Sequence, residues 1–242
     1  MTHLRAAVRF LTVLPAGPAT GFDAVAMVPW FPVVGLVLGG LLAAGDLLAG
    51  RWWGPGTVAV LDVLVLAGLS GALHLDGLAD TADGLFSHRP REAKLAIMKD
   101  SRIGSMGVIV LCAILALKWC GIGEIEENRG LLLLLVPAYA RGGVIFAMRL
   151  LPYGRPGGGT GLAFFDRRPG AGAFWALGAT ALMSLALGPQ AIALNAAFAL
   201  ITAGLIAFYR RQLGCVTGDM LGAMIEATEA GLFLVAAIGG AA

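Results

Sequence analysis

The sequence predicts an all-α fold, a polytopic integral membrane bundle of about six to seven transmembrane helices. Of its 242 residues 58% are hydrophobic and only 13% are charged. The mean hydropathy is +0.84, outside the range of soluble domains. Apolar runs also recur along the chain, each near the ~20 residues that span hydrocarbon. They lie at Ala24 to Leu48, Thr57 to Leu75, Met106 to Ile122, Gly130 to Leu150, Ala171 to Gly188, Gln190 to Phe208 and Met220 to Ala242. A single membrane domain over residues 1–242 accounts for them.

Taken in order, the N-terminal stretch sets Arg5 and Arg9 beside short apolar pieces broken by Pro15 and Pro18. That pattern predicts an interfacial segment rather than a signal peptide. Pro29 and Pro32 open the first long run and predict a break or re-entrant piece there. The tryptophans at Trp52 and Trp53 suit a membrane interface between the first two runs. Cys112, Cys120 and Cys215 are odd in number and two fall in one apolar run, so no disulfide framework is expected. With neither a CxxC pair nor a compact His/Cys cluster, a zinc site is not expected.

Orientation follows from the cations. With the N-terminus in the cytoplasm, thirteen of the 17 basic residues fall in cytoplasmic segments, among them Arg89, Arg91, Lys94, Lys99, Arg102, Arg149, Arg155, Arg167, Arg168, Arg210 and Arg211. The positive-inside rule favours that topology. It also explains the basic residues without any nucleic-acid partner, and leaves the lipid bilayer as the expected surroundings. Three Gly-punctuated polar segments, 76–105, 151–170 and 209–219, are longer than helical hairpins need and carry the function on that side.

The first of these segments opens on His74-Leu75-Asp76-Gly77-Leu78-Ala79-Asp80-Thr81-Ala82-Asp83-Gly84. If this piece is helical, Asp76, Asp80 and Asp83 project from one face. Ionised carboxylates brought together need a cation, and hard oxygen donors beside phosphate chemistry suit Mg²⁺ or Mn²⁺. His74 falls on the opposite side of such a helix and is a weaker candidate for a base.

Downstream, Lys99-Asp100-Ser101-Arg102-Ile103-Gly104-Ser105 sets two cations, a carboxylate and two hydroxyls just before an apolar run. A phosphate clamp by Lys99 and Arg102 is expected, supported by backbone N–H groups at the next helix start. Thr217-Gly218-Asp219 opens the last run, and Asp219 and Glu226 share a helical face, so Thr217, Asp219 and Glu226 are candidates to complete a substrate or metal site. Capping by Thr217 and a packed polar pair are the alternatives. Arg141 lies deep in a run, where it must pair with a carboxylate, Asp62 being one candidate, or with substrate phosphate. Lys118, nearer a run end, is expected to snorkel. The loop from Arg155 to Gly161 reads as a flexible cradle for a bulky ligand.

These stretches, together with Phe10-Leu11-Thr12-Val13-Leu14-Pro15, Met98-Lys99-Asp100-Ser101-Arg102-Ile103-Gly104 and Val216-Thr217-Gly218-Asp219, closely resemble the cobalamin synthase family, the adenosylcobinamide-GDP ribazoletransferases. The resemblance runs from the N-terminus to the last helix. It implies a multi-pass enzyme of the bacterial cytoplasmic (inner) membrane, Mg²⁺-dependent, with its active site facing the cytoplasm. The substrates implied are adenosylcobinamide-GDP and α-ribazole or its 5′-phosphate, with release of GMP. Asp76, Asp80 and Asp83 would hold Mg²⁺, with Asp219 and Glu226 as further ligands or positioning groups. Lys99, Arg102 and Arg141 would hold pyrophosphate oxygens, and Asp83, Asp100 or His74 would be the base. Chains rich in Gly and Ala helices also permit a homo-oligomer.

Two other readings are weighed against this one. CDP-alcohol phosphotransferases also use spaced aspartates, in a pattern resembling DxxDGxxAR then GxxxDxxxD, but no Ala-Arg follows Asp80 and the second half is missing. A cation-coupled transporter using Asp62, Arg141 and Glu226 would leave the clustering of polar motifs unexplained.

Overall fold

The computed structural model describes residues 2–17, 23–155, 158 and 161–238, so much of the Gly-rich cradle and the end of the last apolar run lie outside the described residues. The described residues form an all-helical bundle, and the one β-type contact among them is an isolated bridge.

The helices are α1 (Thr2–Leu11), α2 (Ala24–Met27), α3 (Phe31–Ala49), α4 (Pro55–Leu69), α5 (Leu73–Leu85), α6 (Arg91–Ile97), α7 (Ser105–Gly123), α8 (Arg129–Leu150), α9 (Trp175–Ser184), α10 (Gln190–Gln212) and α11 (Gly218–Ala236). A 3₁₀ turn at Val28–Trp30, carrying Pro29, joins α2 to α3, so the prolines reshape the first run without ending it.

By length and composition, α2 to α3, α7, α8 and α10 each suffice to cross a membrane, and α4 with α5 forms a fifth candidate bent by 90°. α11 has the length but carries Asp219, Glu226 and Glu229, and the run Ala171–Leu187 is a shorter apolar piece. The seven apolar runs thus each correspond to an element of this bundle.

The bend matters most for the site. Gly71 (φ +60°) and Ala72 (φ +57°) both turn left-handed, a conformation that costs a β-carbon-bearing residue such as Ala72. The backbone N–H of Val13 donates to Leu69 O at 2.9 Å, tying the N-terminal segment to this corner. The run from Thr57 to Leu75 therefore does not continue straight, and α5 sets off at a right angle with the aspartates on it.

α8 is the central helix: 83% of its most apolar stretch is buried, against 22% for that of α7. α3 packs along it at Gly35 and Gly39, where a Cβ would run into the α8 backbone at Ala138 and Leu134. Small residues permit such close approach where lipid supplies no hydrophobic force between helices. α7 and α10 instead expose Val108, Ile109, Ile192 and Leu200 outward, as a lipid-facing surface does.

Candidate active site

α5 is a regular helix over 13 residues, so Asp76, Asp80 and Asp83 do share a side of it. His74 is 3% exposed and stands where α11 passes. α11 and α5 meet at two glycines. A Cβ on Gly77 would lie 2.8 Å from Asp219 O, and one on Gly222 would lie 3.2 Å from His74 Cα. The missing side chains bring the start of α11, with Asp219, against the aspartate-bearing helix.

Asp80 consequently sits in a field of like charge. Asp219, Asp76 and Asp83 act on it with the same sign and Arg155 with the opposite one. Arg155 reaches this point through the isolated bridge between Tyr153 and Val216. There Gly154 N–H donates to Val216 O and Val216 N–H to Pro152 O, both at 2.9 Å. Its guanidinium pairs with Asp219 Oδ2 at 2.6 Å and donates to Met98 O at 3.0 Å. Sequence reasoning placed Arg155 in a loose cradle; nothing in the spacing of residues 155 and 219 signals the contact.

The other expected residues divide by what they touch. Asp83 accepts the N–H of Gly104 at 2.6 Å and of Gly107 at 2.8 Å, which closes the start of α7. Asp100 is held by Arg102, Oδ2 to Nη2 at 2.6 Å. That exposed loop pair pushes the Asp100 carboxyl down to about 2 through its hydrogen bonds with Arg102. Lys99 is exposed on the same loop. Thr217 is buried and caps α11, its hydroxyl accepting from Met220 N at 3.3 Å.

Glu226 and Arg141 belong to a separate group in the middle of the bundle. Lys118 donates to both Glu226 and Glu229, and Arg141 Nη1 donates to Glu229 at 2.6 Å and to Pro137 O at 3.1 Å. All four are buried. Lys118 therefore does not snorkel: two carboxylates on α11 compensate it inside the protein. Nor does Asp62 partner Arg141; it lies 3.3 Å from Arg129, which also binds Asp46. Two ionisable clusters thus tie the bundle together at different heights, and in the one formed by Lys118, Arg141, Glu226 and Glu229 two cations stand against two carboxylates.

The aspartate face borders a cavity of about 110 Å³ whose walls include Phe31, Val144, Met148 and Ile225 and whose polar residues are Asp76, Asp219 and His74. Among the described residues no three His, Cys, Asp or Glu side chains converge tightly enough to chelate an ion unaided. The donor set still fits Mg²⁺, which is commonly held by one or two carboxylates, with waters and substrate phosphates completing its shell. The donors are all oxygen, and four carboxylates stand against one guanidinium, which leaves an excess of negative charge for a cation to balance.

The family model described as cobalamin-5-phosphate synthase matches residues 3–237. Similar proteins named adenosylcobinamide-GDP ribazoletransferase occur in several bacteria. The one from Bradyrhizobium diazoefficiens is 41% identical, covering 98% of this chain and 94% of its own length. That from Herpetosiphon aurantiacus is 38% identical over 94% of this chain and 92% of its own. That from Synechococcus elongatus is 37% identical over 98% and 97%. No solved structure matches the chain. With the match running through every motif that builds the aspartate face, the chain belongs to the cobalamin-5-phosphate synthase family.

Proposed function

We propose that this chain is a membrane-embedded, Mg²⁺-dependent adenosylcobinamide-GDP ribazoletransferase working at the cytoplasmic face of the bacterial inner membrane. In this reading it joins the corrinoid phosphate of adenosylcobinamide-GDP to α-ribazole, or its 5′-phosphate, and releases GMP. One juxtaposition carries the reading: α5 and α11 bring Asp76, Asp80 and Asp219 together with Arg155 at a cavity that Asp76 and Asp219 line. The relatives' shared name supplies the substrates.

A hydroxyl oxygen of the acceptor ribose forms the new bond to the corrinoid-side phosphorus, and the bond from that phosphorus to the oxygen of GMP breaks. Positioning and charge neutralisation are what such a transfer needs. Bound Mg²⁺ would draw charge from the diphosphate oxygens and from the leaving GMP. Asp76, Asp80 and Asp219 would hold it, with Asp83 fixing the end of α7 beside them. Arg155 and Lys99 take diphosphate oxygens, and Arg102 joins by exchanging Asp100 for phosphate, since an exposed ion pair is held by about 1 kcal/mol or less. The hydroxyl proton passes to a carboxylate of this face. Arg141 and Glu226, within the buried cluster, hold α7, α8 and α11 in place.

Detergent-purified protein given Mg²⁺, adenosylcobinamide-GDP and α-ribazole is expected to yield cobalamin and GMP, and to stop when the metal is chelated. Turnover of CDP-diacylglycerol instead, or vesicle uptake with no GMP formed, would overturn the assignment.

A further inference from the structure

We infer that the apolar cavity beside the carboxylates receives the heterocyclic base of the acceptor nucleoside and that His74 recognises it. The inference rests on the transferase reading and names which part of which substrate lies where.

The walls are apolar: Phe10, Phe31, Phe164, Val144, Met148 and Ile225 line the cavity, and Asp76 and Asp219 stand in the same lining. A ligand here has an apolar body and a polar end that meets the carboxylates. The volume of about 110 Å³ is of the order that takes up one aromatic ring, an engineered cavity of about 150 Å³ being enough for benzene. A corrin ring is far too large. Guanine fits poorly for another reason, because its edge is crowded with donors and acceptors, and each one buried without a partner opposes binding. A flat base fused from apolar rings, with one free ring nitrogen, matches the walls, and the space takes one of its rings.

His74 supplies the specific contact. It lines this cavity, it is 3% exposed, and neither ring nitrogen has a hydrogen-bond partner. Buried polar atoms are nearly always satisfied, and a neutral imidazole carries one donor and one acceptor. Its N–H is suited to the free nitrogen of a benzimidazole-type base. Close packing of Gly222 on the His74 backbone fixes where the residue's backbone stands. Geometry then places the rest of the nucleoside. With its base among the phenylalanines, its ribose falls at Asp76 and Asp219, where the attacking hydroxyl is needed.

The test compares steady-state constants for the two substrates in wild type, Val144→Phe, which fills the cavity, His74→Phe and His74→Gln. Val144→Phe and His74→Phe are expected to raise the KM for α-ribazole about tenfold or more while that for adenosylcobinamide-GDP stays within about twofold. His74→Phe should also shrink the preference for α-ribazole over an α-riboside of a phenol, which has no ring nitrogen, and His74→Gln should keep part of it. An α-ribazole bearing a photoreactive azide on its base should label wild-type peptides containing Phe31, Val144 or Met148. That arm needs no variant to fold. Wild-type protein that makes no cobalamin overturns the transferase reading itself. Wild-type turnover with α-ribazole KM unchanged in the folded variants, with both KM values rising together, or with label elsewhere in the chain overturns the base pocket alone.

Discussion

Asp83 closes the start of α7 from 21 residues away, its Oδ2 accepting the Gly104 N–H at 2.6 Å while its other oxygen takes the N–H of Gly107. Both partners are glycines for a steric reason: a Cβ at either position would overlap the Asp83 carboxylate. The charge also faces the positive end of the α7 dipole. One residue of the aspartate motif thus anchors the next helix, leaving Asp76 and Asp80 as the members open to a ligand.

From this, Asp83→Ala is expected to lower stability in detergent by about 2 kcal/mol, the scale of a lost charged cap. Asp83→Asn keeps one acceptor and should lose roughly half of that. Thermal unfolding of the purified variants, scored beside GMP release, checks both; an unchanged melting temperature in Asp83→Ala would refute the anchoring role.

Asp80→Asn should behave in the opposite way. The carboxylates of Asp219, Asp76 and Asp83 all repel Asp80 and only Arg155 opposes them, so removing its charge relieves repulsion in the folded protein. Stability should hold or rise slightly, while GMP release falls by about a hundredfold or more, the scale on which a lost electrostatic contact to the transition state is felt. Near-normal turnover by the folded variant would rule out a metal role for Asp80.

How much of this was legible in the sequence depends on the range of each interaction. The spacing of Asp76, Asp80 and Asp83 is a local property, and α5 bears it out as a shared helical side. The bend before α5 was not legible, because Thr57 to Leu75 reads as one apolar run and the left-handed Ala72 follows from packing. Asp83 to Gly104 and Arg155 to Asp219 are contacts between distant segments, and charge alone cannot tell a cap from a ligand. Lys118 shows the same limit. Its place near the end of the run suggested an escape to the interface, whereas the partners that keep it inside sit more than 100 residues away on α11.

The buried cluster supports a prediction about stability rather than chemistry. Lys118, Arg141, Glu226 and Glu229 balance two positive against two negative charges, all buried. Glu229 bridges both cations, so Glu229→Gln leaves a buried positive charge uncompensated and should cost about 3–5 kcal/mol. The double replacement Lys118→Met with Glu226→Gln removes one charge of each sign and should cost less than Glu229→Gln alone. Comparing detergent unfolding midpoints for wild type and the two variants decides it, and a double variant less stable than Glu229→Gln would contradict the charge-balance account.

Gly77 gives the most direct link between packing and the proposed chemistry. A Cβ there would stand 2.8 Å from Asp219 O and 2.9 Å from Asp219 Cα, and neither backbone atom can swing aside as a flexible side-chain end does. Gly77→Ala must therefore move α5 away from the start of α11, although alanine by itself is the better helix former by about 1 kcal/mol. These opposed effects keep the net change in stability small, while Asp76 and Asp80 are shifted relative to Asp219 and Arg155. Because misplacement of reacting groups by about 1 Å costs on the order of a hundredfold in rate, turnover should fall by roughly that factor with the melting temperature nearly unchanged. The measurement is GMP release at saturating substrate beside a thermal melt, and full turnover in Gly77→Ala would show that the close approach of α5 to α11 is not what assembles the site.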